Sequence, residues 1–171
     1  SGVVIYSDEF TLILTNSHVV KWEDPVSIFM NGNTYEAELL HEVEKYDLAL
    51  LRVEAETPYV AEVSLSRPKL RVFDKVTLVG SGMLLPPFPT MGIISLFGSG
   101  YGTMISGSVM GGMSGGAVFS KVKGEYQLIG IIRAMATQRA KSKDGTIMVL
   151  APNNTIGFFI PLRNINLFLG G

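Results

Sequence analysis

The sequence predicts an all-β barrel or sandwich, and three observations carry that reading. Many short apolar runs recur along the chain, turn residues separate them, and no long stretch repeats with the period of a helix. At 171 residues, 47% hydrophobic and 17% charged, the chain can bury a sizeable core and does not resemble a disordered segment.

In chain order, residues 2–6 and 11–15 read as two strands joined by the polar turn Ser7-Asp8-Glu9, and the second delivers His18 just past its end. Residues 26–30 and 34–39 read as a hairpin, because Asn31-Gly32-Asn33 supplies residues that tolerate a positive φ. Glu36 and Glu38 would face water. A further strand over 47–53 opens with Asp47. The most polar connection holds Arg67, Pro68, Lys69, Arg71 and Asp74, which divides the chain into 1–66, a linker at 67–75 and a second unit at 76–171.

The second unit offers strands near 76–80, 91–97, 102–107, 116–120, 126–132, 147–151 and 156–160. Turns at Lys123-Gly124, Asp144-Gly145 and Asn153-Asn154 separate the later ones. Residues 161–169 read as one short closing helix.

Composition narrows function. A net charge of -1 gives no electrostatic reason to expect nucleic acid or an anionic membrane surface as partner. No cysteine is present, so disulfides, a thiol nucleophile and thiolate zinc sites are excluded. Residues 76–120 carry no charge at all, yet Pro86, Pro87, Pro89 and many glycines interrupt every window long enough to span a membrane as a helix, so no membrane insertion is expected. The chain starts at Ser1 without a leader-like segment, as expected of an excised or processed domain.

The chemistry concentrates in Met110-Gly111-Gly112-Met113-Ser114-Gly115-Gly116. Glycines there let the backbone turn sharply, so the amides of Gly112 and Ser114 could converge on an oxyanion beside the Ser114 hydroxyl. A serine attacks only once a base takes its proton, and an imidazole base needs a carboxylate to fix its tautomer. His18, in Thr15-Asn16-Ser17-His18-Val19-Val20, and Asp47, in Tyr46-Asp47-Leu48-Ala49-Leu50-Leu51, are the upstream candidates. His41 lacks such a context and reads as a surface residue. Two histidines without clustered carboxylates make a poor metal site, so neither metal nor organic cofactor is expected.

These ordered motifs, with Ser1-Gly2-Val3-Val4-Ile5, Gly92-Ile93-Ile94-Ser95 and Gly157-Phe158-Phe159-Ile160-Pro161, resemble the trypsin-like serine proteases of the chymotrypsin superfamily, closest to the HtrA (Deg) branch. The resemblance implies two six-stranded antiparallel β-barrels with a catalytic cleft between them, acting on polypeptides. It implies Ser114 as nucleophile, His18 as general base and then acid, and Asp47 as orienter. It also implies that a segment before Ser1 usually adds an early strand to the first barrel; without it, another segment fills that edge or the barrel is open there.

Two positions depart from the family. Met113 stands where digestive proteases have an Asp that pairs with a newly cut amine, so the oxyanion loop must be ordered by other means. Arg133 stands on the implied substrate-binding strand, Gly130–Met135, where a small polar residue is usual; it either points to solvent or recognises an acidic substrate. The implied specificity pocket has Ser108 at its base, with Val109, Met110, Ile131, Ile132 and Arg133 around it. With no acid at Ser108, a small or medium apolar residue is expected before the scissile bond. The sequence also leaves open a catalytically silent peptide-binding module of the same fold, and a viral, polyprotein-processing protease acting mainly on its own junctions. Oligomeric state is not legible from it.

Overall fold

The computed structural model describes residues 1–64 and 68–170, without the side chains of 137–141 and 147–152. The first half contains β1 (Val3–Ser7), β2 (Thr11–Thr15), the one-turn helix α1 (Ser17–Val20), β3 (Val26–Met30), β4 (Asn33–Val43) and β5 (Leu48–Val53). The second contains β6 (Lys75–Gly80), β7 (Phe88–Ser99), β8 (Gly102–Gly107), β9 (Ala117–Val122), β10 (Glu125–Lys141), β11 (Ile147–Pro161) and α2 (Leu162–Phe168).

The expected hairpin is present: β3 pairs antiparallel with β4 around Asn31 and Gly32, whose φ values are 53° and 81°. That positive-φ pair suits the tight turn that reverses the chain.

Only the second half closes. Its six strands form a barrel in the order β10-β11-β8-β7-β6-β9, whereas the first half is a five-stranded sheet, β1-β2-β5-β4-β3. The expectation of two closed six-stranded barrels is therefore corrected for the first half. No strand among the described residues joins the edges β1 and β3, although Ala61 N–H donates to Val4 O of β1 at 2.8 Å. An apolar groove of about 1200 Å³ follows that opening, walled by residues including Val3, Ile13, Val26 and Leu51; His18, Asp47 and Ser114 do not line it.

Three apolar cores hold these layers. Val76, Leu78, Ile94, Ile105, Val118 and Phe159 fill the barrel. Ile13, Val26, Ala49 and Leu51 pack the open sheet. Between them, Val3, Leu14 and Leu48 meet Leu128, Ile131 and Ile160, with Ile165 and Phe168 of α2 closing the seam. Side chains alternate across a strand, so consecutive Ile131 and Ile132 serve different cores, the seam and the barrel respectively. That alternation fixes β10 between the two halves.

β4, β7, β10 and β11 are longer than the sequence suggests, the last two most of all. β10 continues past residue 132 to Lys141, and β11 runs through the expected Asn153-Asn154 turn. There the pairing jumps from Met135↔Gly157 to Ala136↔Asn153, so the turn residues become an irregularity inside one strand.

Candidate functional site

α1 opens immediately after β2, and this short helix carries His18. Its first-turn amides lack intrahelical partners, and the His18 N–H donates to Asp47 Oδ1 at 3.1 Å. The ring follows the backbone: His18 Nδ1 lies 2.9 Å and 3.0 Å from the two Asp47 carboxylate oxygens. Asp47 sits in the tight connection from β4 to β5 with φ 55°, a left-handed conformation that suits Asp better than most residues. Its N–H donates to Glu44 O at 3.0 Å.

The carboxylate is well enclosed, its side chain 10% exposed against 48% for His18. Burial pushes the Asp47 carboxyl up. The side-chain and backbone hydrogen bonds from His18, with the charges of His18 and Arg133, outweigh that and hold it below the usual carboxylate range.

Ser114 lies in the loop between β8 and β9. Its hydroxyl donates to the Arg133 carbonyl at 3.1 Å, and no hydrogen bond joins it to His18. The structure thus brings His18 and Asp47 into direct contact and links Ser114 to them through Arg133, whose Nε donates to Asp47 Oδ2 at 3.2 Å.

Several bonds order the Ser114 loop. Met83 N–H donates to Gly111 O at 2.9 Å, and Gly116 N–H to Met113 O at 2.9 Å. In a trans peptide the carbonyl and the following N–H point opposite ways, so both bonds turn the Gly112 and Ser114 amides outward from their partners. Neither amide has an acceptor among the described residues. Ser81 N–H donates to Ser1 Oγ at 2.8 Å, and that hydroxyl donates to Gly112 O at 2.9 Å. Met113 is fully buried with the barrel core, and its sulfur accepts the Met110 N–H at 3.4 Å. An apolar anchor thus occupies the position of the paired carboxylate in digestive proteases.

The other expected binding residues are placed less uniformly. Ser108 is exposed, and its carbonyl accepts from Thr90 Oγ1 at 2.7 Å. Val109, Ile131 and Ile132 are buried, so their side chains belong to the cores and only their backbone is available to a ligand. Met110 is half-buried. Gly157 explains part of this packing: a Cβ there would meet Val109 Cγ2 at 2.4 Å.

Sequence reasoning missed Asn16, which is fully buried and donates from Nδ2 to the Asp47 carbonyl at 3.1 Å. A buried Asn just before a one-turn helix reads as a cap in sequence, yet its side chain makes no capping bond. Tyr101, the acceptor of a second Arg133 bond, was also not foreseen. His41 stacks on Phe168 with ring centroids 4.9 Å apart. Among the described residues no cluster of three or more His, Cys, Asp or Glu could hold a metal, and no helix is long and apolar enough to cross a membrane.

Residues 1–131 match the family model described as a trypsin-like peptidase domain. The chain is 32% identical to the periplasmic pH-dependent serine endoprotease DegQ of Escherichia coli, over 94% of its own length and 34% of that protein. It is 30% identical to a probable periplasmic serine protease, do/HhoA-like, of Haemophilus influenzae, over 79% of its length and 30% of the relative. Among solved structures, the HtrA-type protease AlgW with a decapeptide superposes with a TM-score of 0.75 at 26% identity, covering 99% of this chain and 50% of that one. A serine endoprotease from Yersinia pestis gives a TM-score of 0.75 at 26% identity, over 99% and 55% of the two chains. The chain therefore spans about a third of the length of these curated relatives. The matched family model and the HtrA-type relatives agree: this chain belongs to the trypsin-like peptidase domain family, in its HtrA branch.

Proposed function

We propose that the domain is a serine endopeptidase that hydrolyses polypeptides through an acyl-enzyme, with Ser114 as nucleophile, His18 as base and then acid, and Asp47 as orienter. The observation that carries this reading is the His18–Asp47 pair, in which both carboxylate oxygens lie within 3.0 Å of Nδ1. That contact leaves Nε2 as the nitrogen facing the reaction, in the tautomer a base requires.

The cycle starts with a rotation of the Ser114 side chain away from the Arg133 carbonyl and toward His18. Such rotamer changes are fast, and catalytic hydrogen bonds often tighten only once substrate is bound. As Oγ attacks the scissile carbonyl carbon, its proton passes to His18 Nε2, and the Asp47 carboxylate stabilises the imidazolium. The outward-turned Gly112 and Ser114 amides support an oxyanion hole, in which each donor typically contributes ~2.7–4 kcal/mol to transition-state stability. His18 returns the proton to the leaving amine, and water then attacks the acyl-enzyme with His18 again as base. No metal or organic cofactor has a step in this cycle.

For specificity we propose a shallow apolar site that takes Val, Ala, Leu or Met before the scissile bond. Ser108 offers no charge, and Val109 occupies the space beside Gly157.

A burst experiment tests the reading. With an activated ester of an acylated valine, the domain should release a fast phase of leaving group equal to the enzyme present before a slower steady rate, and Ser114→Ala should show no burst. Equal bursts from the two proteins would remove Ser114 from the mechanism and favour a silent peptide-binding module.

A further inference from the structure

Arg133 is the extra residue of a β-bulge. On β10, Ile132 pairs with Phe159 and Ala134 with Phe158 of β11, which leaves Arg133 without a partner between them. A bulge kinks its strand and re-aims the side chain it carries. Ile132 stays in the barrel core, while the Arg133 side chain lies beside Asp47, 28% exposed.

Two acceptors take up the guanidinium. Nε donates to Asp47 Oδ2 at 3.2 Å, and Nη1 to the Tyr101 carbonyl at 2.9 Å. The Tyr101 ring lies beneath it, 6.0 Å from Cζ to centroid. Asp47 Oδ1 meanwhile accepts from the His18 backbone N–H. The carboxylate is therefore pinned from two elements, by His18 on α1 and by Arg133 on β10. These are the charged or titratable groups that act on it.

We propose that Arg133 is a positioning residue that fixes the orienting carboxylate of Asp47 for His18, and that it is not a substrate-binding cation. The inference rests on the endopeptidase reading above and assigns a task to a residue whose charge would otherwise suggest selection of acidic substrates. A guanidinium is suited to it: always charged, planar and rigid, it holds one carboxylate oxygen and one carbonyl in fixed directions. Its charge adds to the larger effect of the His18 hydrogen bonds and charge, which lower the Asp47 carboxyl below its usual range. Because the main chain of the same residue accepts the Ser114 hydroxyl, the bulge sets both the nucleophile's resting position and the carboxylate's orientation.

The experiment compares wild type with Arg133→Lys, Arg133→Gln and Arg133→Ala in two measurements. The first is steady-state hydrolysis of uncharged peptides and of matched peptides with Glu before the scissile bond. Arg133→Gln should lose about tenfold or more in kcat with KM nearly unchanged, Arg133→Lys should lose less, and methylguanidinium in the buffer should restore part of the kcat of Arg133→Ala. The second measurement needs no activity: Tm of wild type and Arg133→Gln across pH. Asp47 has a lowered folded pKa, so the contribution of Arg133 is fully present above the unfolded carboxylate value of about 3.9. It is lost as pH falls through the folded value. The Tm gap should close in that window.

A gap that stays constant with pH overturns the inference, as does an unchanged kcat paired with selective loss of Glu-containing substrates. Those results leave the endopeptidase reading standing. A folded wild-type domain that hydrolyses no peptide overturns the reading, and the inference with it.

Discussion

The buried Asn16 amide donates to the Asp47 main-chain carbonyl at 3.1 Å, tying the residue before the His18 helix to the residue that orients His18. The contact fixes the separation of base and carboxylate from the backbone side, while the carboxylate fixes it from the other. Asn16→Ala would leave that carbonyl unpaired in an enclosed site, at a cost of about 1–3 kcal/mol in stability. Chemical denaturation checks this, and peptidase activity should fall with it because Asp47 is no longer held. Asn16→Asp should be worse, since it sets a second carboxylate against a carbonyl oxygen.

Asp47→Asn keeps the side-chain shape and removes the charge. With the wrong imidazole tautomer favoured, kcat should fall by about 10⁴-fold while the fold survives. Circular dichroism and burst kinetics on one preparation separate the two effects. Retention of more than a tenth of wild-type kcat would show that Asp47 does not orient the base.

The sign of the acid dependence follows from the same carboxylate. The folded pKa of Asp47 is lowered, so its contribution to stability is present above the unfolded value of about 3.9 and disappears as pH falls through the folded value. The Tm difference between wild type and Asp47→Asn should therefore shrink below about pH 4 and be flat at neutral pH.

Most strands were legible, because apolar runs punctuated by Gly and Asn state where backbone must turn, and the His18–Asp47 contact joins two residues the sequence singles out. β8 appears over the residues its pattern names. What escaped were features made by tertiary pairing. Gln138, Arg139 and Lys141 interrupt the apolar pattern, yet the backbone of β10 continues to pair with β11 through them. The bulge at Arg133 has no sequence signature either. Two successive isoleucines before it look like one buried run, although they face different cores. The helical turn holding His18 is four residues long, too short for any periodicity. For the edge of the first sheet the resemblance leaves two alternatives; the strand order shows that sheet unclosed, with Ala61 N–H bonded to Val4 O on β1.

Met113 should tolerate shape and reject charge. Met113→Leu keeps the apolar anchor at a cost below about 1.5 kcal/mol. Met113→Asp buries a carboxylate among Val109, Ile132 and Phe159, and should cost several kcal/mol and release the oxyanion loop. Thermal unfolding of the two variants checks the order, and an equally stable Met113→Asp would show that the side chain does not anchor the loop.

Gly115 precedes the chain's return into β9 with φ 84°, and a Cβ there would meet Ser1 O at 2.1 Å and Thr15 Oγ1 at 2.3 Å. Gly115→Ala must displace β1 or move Ser114, so activity should drop more than stability does if the loop yields first. Parallel melting and burst measurements show which gives way.

Covalent labelling with a fluorophosphonate asks whether Ser114 is the nucleophile without relying on a chosen peptide. Intact-mass spectrometry of the wild-type domain should show one adduct, mapped to Ser114 by peptide sequencing. Ser114→Ala should show none, and His18→Ala should label far more slowly because the serine then lacks its base. An adduct that forms equally in Ser114→Ala, or a folded wild-type domain that forms none, would mean that Ser114 is not the nucleophile.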